Sequence, residues 1–160
     1  MDGRPPLCTV ALALALALAP GCDREKSSFE ASARTLDPSI HELAAVADEL
    51  KLADGDQFAA AWVVWEPCGR VRDILDRMKS VPLDVDTAGG KAADRVRTAA
   101  AEHAASMKVC EGGTPKPGKS KVLDCSPRCG VAVRSVAKEI AAFADESQKH
   151  AVRVERISVQ

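Results

Sequence analysis

The residues of this chain best equipped for chemistry are its six cysteines. They stand at positions 8, 22, 68, 110, 125 and 129. A thiolate can attack a disulfide, hold a metal or carry a covalent adduct. Cys125 and Cys129 form a CxxxC pair. Thiol–disulfide exchange sites favour CxxC, with the first thiol at a helix N-terminus that lowers its pKa. The spacing here is longer by one residue, and no thioredoxin-like βαβ pattern surrounds it. The pattern favours structural cysteines over a redox site.

The other candidates are weaker. His103 and Met107 are one helical turn apart and could share a site with Met78, since imidazole and thioether suit copper or haem iron. Methionine at helical spacing more often fills a core, and a lone histidine on a seam is more often a satisfied packing residue. His150 falls on a continuation of another seam, so a buried histidine pair is conceivable. Covalent haem needs CxxCH, which the chain lacks. Trp62 and Trp65 offer a stacking or membrane-contact patch, but on an apolar helix such a pair is more often core. Gly89-Gly90-Lys91 lacks the glycine spacing and the preceding strand of a phosphate loop. Asp73 and Asp76 fall on a polar helix face. No Gly-x-Ser-x-Gly context supports a serine hydrolase.

The first two cysteines belong to a different kind of segment. Asp2-Gly3-Arg4 precedes an alternating Ala/Leu run of about 11 residues, from Thr9 to Ala19. That length suits the apolar core of a signal peptide and is too short to span a bilayer. Ala19-Pro20-Gly21-Cys22 follows, and polar sequence begins at Asp23. The segment resembles a bacterial lipoprotein signal, with small Gly21 before the cysteine and Ala19 three residues before it. The resemblance implies cleavage before Cys22, a diacylglyceryl group on its thiol and acylation of its amine. Ordinary secretory cleavage is the rival, because small residues precede both kinds of site. Two or more acyl chains would anchor the chain stably to a membrane. Residues 1–21 are read as signal, 22–36 as a lipidated cysteine with a polar tether, and 37–160 as the folded domain.

Export changes the meaning of the remaining thiols. Cys8 leaves with the signal and Cys22 takes the lipid, so Cys68, Cys110, Cys125 and Cys129 remain. An even set in an oxidising compartment reads as two disulfides, and a four-cysteine zinc site becomes less favourable. About 140 residues remain, enough for one domain with a core. The net charge of −1 argues against nucleic acid as a partner. Alanine is abundant, aromatics are 3% and tyrosine is absent. That balance points to an all-α domain, and against a sugar-binding surface built from stacked rings.

The periodicity predicts about four helices. The first starts at Asp37-Pro38, as N-cap and N1, with Ser39 and Glu42 as an alternative capping box. Its stripe is Ile40, Leu43, Ala47 and Leu50, and Gly55 ends it. The second carries Phe58, Trp62 and Trp65, is bent or split at Pro67, and continues through Cys68, Val71, Leu75 and Met78. Residues 84–90 form a connection. The third runs over 91–110, with Val96, Ala100, His103, Met107 and Cys110 on one face, and Gly112-Gly113 stops it. Residues 114–121 are a Gly/Pro/Lys loop. The fourth starts at Ser126-Pro127 and buries Cys129, Val133, Val136, Ile140 and Phe143. Beyond His150, Val152 to Ile157 fits either a fraying helix or a short strand.

An up-down antiparallel bundle is the simplest packing for these elements. In it the starts of the split helix and of the last helix, and the end of the third, share one level. All four cysteines then gather at one end. A Cys125–Cys129 bridge across a helix start has awkward geometry. The preferred pairs are Cys110–Cys125 and Cys68–Cys129, with Cys68–Cys125 and Cys110–Cys129 as the rival pairing.

The expected protein is a lipid-anchored envelope component whose helical bundle, stapled by two disulfides, binds or scaffolds another envelope protein without catalysis or cofactor. The alternative is a periplasmic metal- or haem-binding four-helix bundle built on His103 and Met107.

Overall fold

The structure is a computed structural model that describes residues 20–51, 65–111 and 121–159. Among them are four α-helices: α1, Pro20–Lys51; α2, Trp65–Met78; α3, Ala88–Ala104; and α4, Lys121–Gln148. A 3₁₀ turn, Ser106–Cys110, prolongs α3. No strand occurs among the described residues. The chain is an all-α bundle stapled by two disulfides.

Cross-helix contacts give the direction of each helix. Glu49 pairs with Arg70 and Glu42 with Arg77, so α2 runs antiparallel to α1. Gly89 lies against Ser28, so α3 starts beside the beginning of α1. Phe29 stacks near Phe143, and Arg95 reaches Glu139 and Glu146, so α4 runs back down. The order is up, down, up, down. Helix α2 is short, and the non-helical residues 81–84 carry the chain the rest of the way to the lower pole.

The predicted seams meet in one core. Ile40, Leu43, Val71, Leu75, Met78, Val96, Ala100, Met107, Val136, Ile140 and Phe143 are buried. Alanines 92, 93, 99, 100 and 104 are buried too, and their small side chains let α3 pack closely on its neighbours. Pro67 is third in α2, where a missing amide costs nothing because first-turn amides have no intrahelical acceptor. Residues 56–64, with Phe58 and Trp62, lie outside the described residues, as do Gly55, the Gly112-Gly113 stop and residues 114–120 of the loop.

Several expected boundaries differ. The stretch 22–36 is not a free tether: α1 begins at Pro20, and Phe29, Ser32 and Leu36 are buried. The helix therefore runs through Asp37-Pro38 instead of starting there, and the Ser39/Glu42 capping box is not used. An internal proline costs about 3 kcal/mol. Burial of Phe29 and Leu36 contributes about 1.5–3 kcal/mol each, which offsets it. Helix α4 likewise begins before Ser126 and contains Pro127. Gly89 and Gly90 lie in the first turn of α3 and not in the connection, because Thr87 caps that helix by accepting from the Gly90 amide at 3.1 Å. The third helix is not continuous to Cys110: its last turn tightens into the 3₁₀ segment after Ala104.

Residues 152–159 are neither helix nor strand. They fold back along α1 and α4. Val152 and Ile157 are buried, Glu155 meets His41 at 3.2 Å, and Arg156 pairs with Asp145.

Candidate functional site

Cys68, Cys110, Cys125 and Cys129 converge at the upper pole. Cys68 is bonded to Cys129, with Cα atoms 5.6 Å apart, and Cys110 to Cys125, with Cα atoms 5.1 Å apart. The fold makes both pairs available at once. Cys68 is in the first turns of α2, Cys110 ends the 3₁₀ segment, and Cys125 and Cys129 are successive turns of α4. The bridges are neighbours: a Cβ placed on Gly69 would lie 4.0 Å from the Cys110 carbonyl.

All four cysteines are about 1% exposed. An exchange enzyme needs a solvent-reachable sulfur flanked by groups that stabilise its thiolate. Here the sulfurs sit among core side chains, so the geometry suits a staple. Cys125 is inside α4 and not ahead of it, which places two bridge points on one helix face and locks α4 to both α2 and the end of α3.

His103 and Met107 are not brought together as a ligand pair. The helix breaks between them; Met107 is fully buried in the core, whereas His103 is half-exposed and its carbonyl accepts from the Ser106 hydroxyl at 2.8 Å. Met78 is also fully buried in the core. Among the described residues no group of three or more His, Cys, Asp and Glu has the arrangement of a metal site. His150 stacks on Phe29, with ring centroids 4.5 Å apart, and lies 4.0 Å from Glu25. It closes the lower pole. Trp65 is buried.

A cleft of about 870 Å³ runs beside the folded-back tail, lined by Asp37, Ala144, Gln148 and residues 151–156. Two of its charged groups are already engaged, Glu155 with His41 and Arg156 with Asp145. Those pairs hold the tail to the bundle. Arg70 grips Glu49 through both terminal guanidinium nitrogens, and this hydrogen bonding holds the Glu49 carboxyl below its ordinary range. It also raises the Arg70 guanidinium. Both groups are surface straps between α1 and α2.

Sequence reasoning missed the roles of Ser28 and Gly89. The Gly89 amide donates to the Ser28 hydroxyl at 3.1 Å, and a Cβ on Gly89 would lie 2.5 Å from the Ser28 carbonyl. The double glycine is the signal in the sequence for this close approach.

No described helix is long and apolar enough to cross a membrane. Comparison with protein-family models, with curated proteins and with solved structures finds no match to this chain.

Proposed function

We propose that this chain is an exported bacterial envelope protein, anchored by lipid on Cys22, whose disulfide-stapled bundle binds or scaffolds another envelope component without catalysis. The observation that carries this reading is the pairing of all four domain cysteines in two buried bridges. Such bridges form and persist in oxidising compartments, where the signal-like segment 1–21 would deliver the chain. The burial of these four sulfurs in bridges and the holding of Glu155 and Arg156 in ion pairs with the bundle support a structural and binding role.

The test is the Cys22→Ser variant, expressed with its signal intact. The unmodified chain should fractionate with membranes and lose that behaviour on substitution. Persistence of the variant in membranes would refute lipid anchoring. A visible spectrum and metal analysis of the soluble form separate this reading from the metal- or haem-carrying bundle. A colourless, metal-free protein is expected; stoichiometric metal or haem would favour the alternative.

A further inference from the structure

The geometry points to a direct membrane contact by the lower pole of the bundle, made by residues 22–28, the turn 84–88 and residues 148–151, with Val85 at the level of the lipid headgroups. This inference rests on lipid attachment at Cys22.

A lipoprotein domain commonly hangs from its anchor on a flexible segment, and flexible linkers let a domain drift tens of ångströms from its attachment point. Among the described residues no such segment separates Cys22 from the bundle. Helix α1 already includes Cys22 and continues unbroken to Lys51. At 1.5 Å per residue, Ser28 lies only about 9 Å along the helix from Cys22. Ser28 is also where the bundle begins. Its hydroxyl bonds the Gly89 amide, Phe29 stacks on His150, and Glu25 faces the same histidine. The lipid would therefore emerge within two helical turns of packed structure.

The turn 84–88 is fixed at that pole. Thr87 accepts from Gly90 and donates to the Asp84 carbonyl at 2.7 Å, and the Asp84 carboxylate accepts from the Asp86 amide at 3.2 Å. Gly89 lies against the Ser28–Phe29 backbone of α1, and Gly90 packs against the Asp84 carbonyl within the turn. Val85 stands at its tip and is 40% exposed, one of few large apolar side chains left open on the described surface. The exposed charges of the segments at this pole are of both signs: Asp23, Glu25, Asp84 and Asp86 are acidic, and Arg24, Lys26, Lys91 and Lys149 are basic. A mixed surface of this kind meets a zwitterionic headgroup layer without needing anionic lipid, whereas a polybasic patch would depend on it. The occupant is the bilayer surface itself. The disulfide pole, near Glu49 and Arg70, then stands about 40 Å away along α1 when the bundle is upright. That end is the one held out toward a partner.

The experiment uses the full acylated chain in vesicles of phosphatidylethanolamine with a varied fraction of phosphatidylglycerol. An environment-sensitive fluorophore is placed on Val85→Cys or, at the far pole, on Arg128→Cys. A lipid-borne quencher should quench the Val85 label several-fold more than the Arg128 label, at every phosphatidylglycerol fraction. Hydrogen exchange of the unsubstituted chain on vesicles, against soluble Cys22→Ser, should show added protection at residues 84–88 and 149–151. Flotation with vesicles and an acylated Cys22 peptide by mass, but equal quenching at both labels and no added protection, overturns the membrane contact and leaves the anchor standing. Failure to float, with no acyl mass on Cys22, overturns the anchor and this inference together.

Discussion

The Ser28 hydroxyl of α1 accepts a hydrogen bond from the Gly89 amide of α3 at 3.1 Å and donates its own proton to the Glu25 carbonyl at 2.7 Å. One side chain thus serves the first turn of another helix while remaining bonded within its own. First-turn amides have no intrahelical acceptor, so a partner supplied across the bundle satisfies a group that would otherwise be stranded in a close contact. The contact is only possible because residue 89 has no Cβ, which would lie 2.5 Å from the Ser28 carbonyl; Gly90 makes a second close approach, to Asp84 in the turn before α3.

That close approach gives the first prediction. A Cβ on Gly90 would fall 1.7 Å from the Asp84 carbonyl oxygen, a backbone atom with nowhere to go. In an exposed helix Gly→Ala gains up to about 1 kcal/mol. Overpacking costs about 1–3 kcal/mol, and here the clash exceeds an ordinary one. Gly90→Ala should lower the Tm despite its better helix propensity, as read by thermal denaturation. An unchanged or higher Tm would show that the turn 84–88 can move away freely.

The two disulfides give the second. Cys68–Cys129 spans 61 residues and Cys110–Cys125 spans 15. On the loop-entropy relation they contribute about 4 and 3 kcal/mol respectively. Cys68→Ala with Cys129→Ala should therefore lower unfolding free energy more than the double replacement at 110 and 125, in urea titrations of each. Because these four cysteines are buried, the native protein should resist millimolar reductant and release the thiols of both bridges only once denatured. Fast reduction of the folded protein would contradict the buried placement.

The end of α4 gives the third. Ala151 has φ of 58°, a left-handed conformation that costs a residue with a Cβ about 1–2 kcal/mol. The Val152 amide bonds the Ser147 carbonyl and the Ala151 amide bonds the Gln148 carbonyl, both at 3.0 Å. This is a Schellman cap, in which that position is usually glycine. Ala151→Gly should stabilise by about 1 kcal/mol, seen as a raised Tm. A lower Tm would mean that the alanine methyl contributes packing greater than its strain.

Glu49 gives the fourth. Its folded-state pKa is lowered by the Arg70 hydrogen bond, so the unfolded chain takes up the proton first as pH falls. The strap's stabilisation is present above the ordinary glutamate value of about 4.5 and is lost as pH drops below it. Glu49→Gln should therefore lower Tm at pH 7 and lose that deficit in acid. Since the carboxylate is exposed, the effect should shrink in high salt. A Tm gap between the two proteins that persists at pH 2 would point to packing in place of charge.

Much of the architecture was legible in the chain. The seams of α2 and α4 were readable because Cys68, Val71, Leu75 and Met78, and Cys129, Val133, Val136, Ile140 and Phe143, repeat at helical spacing, and all are buried. The gathering of the four cysteines followed from which helix ends share a level in an up-down bundle, and the structure has the preferred pairs Cys68–Cys129 and Cys110–Cys125 in place of the rival pairing. Helix boundaries were less legible. Asp37-Pro38 and Ser126-Pro127 carry every local mark of a helix start, yet both lie inside helices. Capping preferences are worth about 1 kcal/mol, and tertiary burial on either side outweighs them.

What the sequence by itself determined is the class of fold and the cluster of thiols, because both depend on the spacing of apolar residues and on cysteine count. The tertiary structure alone decided where the bundle begins. Phe29 looks like an isolated apolar residue in a polar stretch until His150, Phe143 and Ser28's partner Gly89 are brought to it from distant parts of the chain. Local pattern cannot register a face completed by residues 60 to 120 positions away, and burial of that face is what turns the expected tether into the first turns of a rigid helix.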